Sequence, residues 1–149
     1  MVNTMATVAQ ACAISAVVVA PEFARTVLVV EDDRFVREAA CEVLRESGCD
    51  VLAAASAAAA QACFFVDPER VDAVFCDAML PDGSGLELCR RLVVENTSLC
   101  VILASGYPLQ TFTPKVEEGP YFLSKPYSGE LLKRTLRHVF SNEFSTMRR

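Results

Sequence analysis

From Thr26 onward, short apolar runs alternate with stretches in which apolar residues recur every three or four positions. Val27-Leu28-Val29-Val30 has no polar member to face water, which predicts a strand buried on both faces. Asp33 can cap a following helix with apolar positions Val36, Ala39, Ala40, Val43 and Leu44, one face of a 3.6-residue period, ended by Gly48. Val51–Ala54 predicts a second strand. Ser56 then opens an Ala-rich helix to about Val66, stopped by Asp67-Pro68. Ala73–Cys76 predicts a third strand, and Pro81-Asp82-Gly83 is turn chemistry. Ser84 and Glu87 form a capping box for a helix through about Val94. Leu99–Ala104 and Tyr121–Ser124 predict strands four and five. Ser128 caps a last helix with Leu132, Leu136, Val139 and Phe140 on its apolar face. Between those two strands, Gly106–Gly119 contains Pro108 and Pro114 and leaves room only for a short helix.

Strand and helix thus alternate five times, which predicts an α/β fold: a five-stranded parallel sheet with helices on both faces. Crossovers should be right-handed. The expected domain covers residues 25–142, with an apolar extension at 1–24 and a tail at 143–149. The extension is either flexible or helical. No Lys or Arg precedes its apolar run Ala11–Ala20, so it lacks the positive start of a secretory signal. The run is also too short for stable membrane insertion. A homodimer controlled by this extension is a further expectation.

Composition narrows the function. The chain has 149 residues and a net charge of −5, and its basic residues form no stripe, so a nucleic-acid partner is not expected. Its seven cysteines include no C-x-x-C pair, which removes zinc and dithiol redox chemistry and points to a reducing cytoplasm.

The polar residues that interrupt the apolar pattern fall at strand ends. Glu31 and Asp32 follow strand one, Asp77 strand three, Ser105 strand four and Lys125 strand five. In a doubly wound sheet these ends share one edge, where ligands bind. With the flavodoxin-like order 2-1-3-4-5 the crevice lies between strands one and three. Glu31, Asp32 and Asp77 would converge there. Two such charges about 4 Å apart repel by roughly 4 kcal/mol at an effective dielectric near 20. A hard cation relieves that, and oxygen ligands without Cys or His select Mg²⁺. The Met79 backbone carbonyl is a further candidate ligand. Lys125 and the Ser105 hydroxyl, together with the metal, can hold the oxygens of a transferring phosphoryl group. Asp77 is the natural nucleophile, because a carboxylate can form an acyl phosphate.

Four segments, each at a strand end, carry a resemblance. Val29–Asp33, Asp77–Leu88, Ala104–Gly106 and Ser124–Tyr127 resemble the response-regulator receiver domain, over about Thr26 to Phe140. The resemblance implies a (βα)5 three-layer sandwich. It makes Glu31 and Asp32 the acidic metal pair, Asp77 the phosphoacceptor, Ser105 the switch hydroxyl and Lys125 the phosphate contact. It puts a mobile aromatic switch at Phe122 and a cis peptide before Pro126. It implies a histidine kinase or histidine phosphotransfer protein as donor, and a downstream protein target. The lone His138 and the lack of an ATP-binding segment mean that a partner must supply the phosphoryl group. Nothing after the last helix reads as an output domain, so output is expected by docking. The Ser105–Lys125 stretch is short for the family, so its fourth helix, normally part of the output face, should be short or irregular. Tyr107 is placed to gate water.

Two alternatives compete with this reading. One is a metal-dependent phosphohydrolase with Asp77 as nucleophile. Such enzymes often place a second acid two residues on, where this chain has Met79. The other is a degenerate receiver used only as an interaction module.

Overall fold

The computed structural model describes residues 24–107 and 120–147, with side chains to residue 141. The expected N-terminal extension, all but its last residue, lies outside the described residues. So does the stretch 108–119, where the short fourth helix was expected.

The strands of the main sheet are β1 (Thr26–Val30), β2 (Asp50–Ala54), β3 (Ala73–Asp77), β4 (Cys100–Ser105) and β5 (Tyr121–Ser124), and Met79–Leu80 pairs with Gly83–Ser84 in a separate short ladder. The α-helices among the described residues are α1 (Arg34–Glu46), α2 (Ala57–Phe64), α3 (Gly85–Glu95) and α4 (Gly129–Met147). The expected tail from residue 143 therefore begins inside α4. The five strands form one parallel sheet in the order β2-β1-β3-β4-β5, the predicted flavodoxin-like order.

Side chains on a strand point alternately to opposite faces, and that period divides the core in two. Val27, Val29, Ala73, Phe75, Ile102, Ala104 and Leu123 face α1 and α4. Leu28, Val30, Val74, Cys76 and Leu103 face α2 and α3. Each fully buried aliphatic or aromatic side chain contributes about 1.5–3 kcal/mol. Glu31, Asp77 and Lys125 continue the first rows beyond Val29, Phe75 and Leu123. Strand parity thus sends all three to the same side of the sheet edge.

The helix ends follow local chemistry. Asp33 caps α1 by accepting from Val36 N at 3.0 Å, and Gly48 leaves α1 at φ +89°. Ser56, Ser84 and Ser128 cap the other three helices through their side-chain oxygens. The buried stripe of α1 differs from the expected one. Ala39 is exposed, and Cys41 is buried with Ala40 and Leu44. Hydropathy ranks Ala and Cys alike here, and the sheet sets the rotation.

The loop after β3 is braced from two sides. Ala78 N donates to Ala104 O at 2.8 Å, and Gly85 N donates to Ala78 O at 2.9 Å. Asp82, expected only as a turn residue, accepts from Ala57 N at 2.8 Å and Ala58 N at 2.9 Å, capping α2 from a distant loop. Those two donors hold its carboxyl below the usual carboxylate range. A lowered value in the folded state gives stability that is present at neutral pH and lost as pH falls below about 4. Asp82→Ala should therefore melt lower at pH 7 and show a flatter decline between pH 5 and pH 3. Melting curves across that range that run parallel to the unsubstituted protein's would contradict this role.

Candidate functional site

The site forms where β1, β3 and β5 end. Lys125 Nζ lies 2.8 Å from Glu31 Oε2 and 2.9 Å from Asp77 Oδ2, bridging the two acids. Each acid's other oxygen accepts a backbone hydrogen bond. Glu31 Oε1 takes Asp33 N at 3.2 Å, and Asp77 Oδ1 takes Met79 N at 3.1 Å. Carboxylate oxygens of Glu31, Asp32 and Asp77 lie within 4.8 Å of one another. Glu31 is 5% exposed, whereas Asp32 opens to solvent. Among the described residues the Asp32 carboxylate has no partner.

Burial pushes the Glu31 carboxyl up, the Lys125 hydrogen bond pulls it back, and the Asp77 charge adds to the rise. Burial alone would lower the Lys125 ammonium, but its bonds to Glu31 and Asp77 outweigh that and hold it above its ordinary value. The pocket is thus an incompletely neutralised anionic site. Its donors are carboxylates with no sulfur or imidazole, and one acid is free at the mouth. That set fits a small hard divalent cation such as Mg²⁺.

Ser105 is 2% exposed, and its Oγ accepts from Tyr107 N at 3.0 Å. Among the described residues it makes no hydrogen bond to Asp77. Phe122 is half-buried and packs with the α2/α3-side core beside Leu103, its register partner. Ser105 and Phe122 therefore share the sheet face opposite Lys125. The Met79 side chain is exposed at the rim, and Met79 pairs with Ser84 in a short antiparallel ladder. The Lys125–Pro126 peptide is cis. Tyr127 packs edge-on against Phe75 at 5.4 Å, and burial pushes its hydroxyl up to about 12.

Two residues that the sequence reading passed over support this geometry. Arg37 Nη1 donates to Glu31 O at 2.9 Å and Asp32 O at 3.3 Å. Gly85 starts α3 directly against the Asp77 backbone, where a Cβ would collide with the Asp77 carbonyl oxygen. A cation at the inner end of the α1 stripe, and a glycine just inside a capping serine, were the available signals.

A doubly wound sheet with an acid cluster and a lysine at its carboxyl edge defines a class of switch module, and comparison identifies it. The chain matches the response regulator receiver domain over residues 27–137, and it belongs to that family. A cyclic di-GMP phosphodiesterase from Thermotoga maritima is 35% identical over 126 residues, covering 83% of this chain and 33% of that protein. A receiver domain protein from Clostridium thermocellum superposes with a TM-score of 0.74 at 22% identity, covering 82% of this chain and 98% of that one. The response regulator TrrA from Thermotoga maritima, solved in complex with Mg²⁺-BeF, superposes with a TM-score of 0.67 at 24% identity, covering 77% and 98%. The chain spans 33% to 48% of the length of several curated relatives that it matches.

Proposed function

We propose that this chain is a phosphoryl-accepting switch of a two-component or phosphorelay pathway, with Asp77 as the acceptor. The observation that carries this is the Lys125 ammonium bridging Glu31 and Asp77, with Asp32 free beside them. One Asp77 carboxylate oxygen attacks the phosphorus of a phosphohistidine on a histidine kinase or histidine phosphotransfer protein. The bond to the donor nitrogen breaks, and the nitrogen keeps the electron pair. Glu31, Asp32, Asp77 and the Met79 carbonyl would hold Mg²⁺, which supplies charge neutralisation at the phosphoryl oxygens. Lys125 is released from Asp77 to contact the new phosphoryl group. Ser105 leaves Tyr107 N and turns its hydroxyl toward a phosphoryl oxygen. Phe122, on the same face as Ser105, repacks with it and alters the surface around β4 and β5, where a downstream protein docks.

On this reading the chain catalyses at most its own phosphorylation and dephosphorylation. It works in the cytoplasm, and no helix among the described residues is long and apolar enough to cross a membrane. Domain limits near residues 25 and 142 are part of the same proposal, residues 143–147 being the end of α4 and not a separate tail. The phosphohydrolase reading is the weaker one, because the position two after Asp77 holds the exposed thioether of Met79 and no acid.

The test is mass spectrometry after incubation with a small acyl phosphate and Mg²⁺. The unsubstituted chain should gain one phosphoryl group, and Asp77→Asn should gain none. Equal labelling of both, or labelling independent of Mg²⁺, would refute the assignment. Rapid multiple turnover of a phosphomonoester would favour the hydrolase.

A further inference from the structure

Arg37 approaches the acid cluster from behind. Arg37 is half-buried and lies on the same face of α1 as the buried Ala40, Cys41 and Leu44. Packing therefore limits where the guanidinium can go. One nitrogen, Nη1, reaches two successive carbonyl oxygens, 2.9 Å to Glu31 and 3.3 Å to Asp32. The orientation of those two peptide units sets where both carboxylates point. The Asp33 backbone adds a third constraint, since its N–H donates to Glu31 Oε1 while its side chain caps α1.

We infer that Arg37 is a positioning residue for the divalent-cation site, holding the Glu31–Asp32 loop so that both acids face Asp77. The inference rests on the cation-site reading above. Two effects of Arg37 oppose one another. Its positive charge repels an incoming cation. Its hydrogen bonds preorganise the ligands that receive one. The repulsion acts beside exposed residues, where solvent and salt screen it. Loss of an outer hydrogen-bond partner typically weakens metal binding by about 10- to 100-fold. Positioning therefore outweighs repulsion, and this decides the sign of the effect. Removing the positive charge should make cation binding weaker, against simple electrostatics.

The experiment is calorimetric titration of Mg²⁺ into the full chain, Arg37→Met and Arg37→Lys, with thermal melts recorded without metal. Arg37→Met should bind Mg²⁺ about tenfold or more weakly. Arg37→Lys keeps the charge but ends in an ammonium nearer the backbone than Nη1, out of reach of both carbonyls at once, so it should also bind more weakly. Unchanged or tighter binding by Arg37→Met would overturn the inference. If that variant does not fold, Arg37→Lys decides, and unchanged affinity there overturns it equally. If the unsubstituted chain takes up no Mg²⁺, the cation-site reading itself falls, and this inference with it.

Discussion

Lys125→Met should cost the metal-free protein about 2–3 kcal/mol at neutral pH and make its stability far more dependent on Mg²⁺. The ammonium is bonded to Glu31 and Asp77, whose side chains are 6% and 12% exposed. Removing one partner of a fully buried pair costs about 3–5 kcal/mol, because the remaining charge is left without compensation. Lys125 is 25% exposed, so solvent reduces that figure. Glu31 suffers most, since burial already pushes its carboxyl up and Lys125 is what pulls it back. In the variant its folded value rises further. A raised value gives stability that is complete below the ordinary carboxylate range and lost as pH rises through the folded value. The gap between variant and unsubstituted protein should therefore narrow from pH 7 to pH 5. Mg²⁺ should close part of it, because the cation takes over the neutralising role. Phosphoryl transfer should still fall about 10²- to 10³-fold, the usual loss for one electrostatic donor at a transferring group. Denaturant melts with and without Mg²⁺ at both pH values test this. A pH-independent gap would show that Lys125 contributes by packing and not by charge.

The sheet and the corners of the site were legible in the sequence for one reason. Buried parallel strands need uninterrupted aliphatic runs, so a charged residue that ends such a run stands out. Glu31 and Asp77 each close a run in that way, Lys125 follows a shorter run after the polar Ser124, and strand parity then sends all three to one side. The residues that brace them gave weaker signals. Arg37 reads as an ordinary polar helix position until the rotation of α1 is known. Apolar spacing put Ala39 inward, although that side chain is exposed and Cys41 is buried. Asp82 fits a turn well enough to look explained, while its two bonds to the α2 N-terminus join loops 24 and 25 residues apart in the chain. Long-range hydrogen bonds of exposed residues leave no periodic trace. The rotamer of Ser105 was also hidden, because a buried hydroxyl can serve the backbone of Tyr107 or a phosphoryl oxygen with the same residue type.

Gly85→Ala should be the most damaging added methyl among the described glycines. Gly85 is buried at the first position of α3, and its N–H is held by Ala78 O. A Cβ there would run into the Asp77 carbonyl oxygen, and it would lie 2.9 Å from the Asp77 carbonyl carbon and 3.0 Å from Cys76 Sγ. Overpacking usually costs about 1–3 kcal/mol when side chains can adjust. Here the obstacle is backbone belonging to a central strand, so relief requires α3 or the acceptor loop to move. A loss of about 3 kcal/mol is expected, roughly 10 °C in melting temperature for a domain of this size. The same movement displaces Asp77 from Lys125, so the folded fraction should also accept phosphoryl groups more slowly. Gly106→Ala is the control. Gly106 also sits beside the site, but a Cβ there meets nothing within 4 Å. That variant should stay within about 0.5 kcal/mol of the unsubstituted protein, the usual range for a surface change. Equal losses in the two variants would mean that neither the crowding at Gly85 nor the contact between α3 and Asp77 governs the acceptor's position.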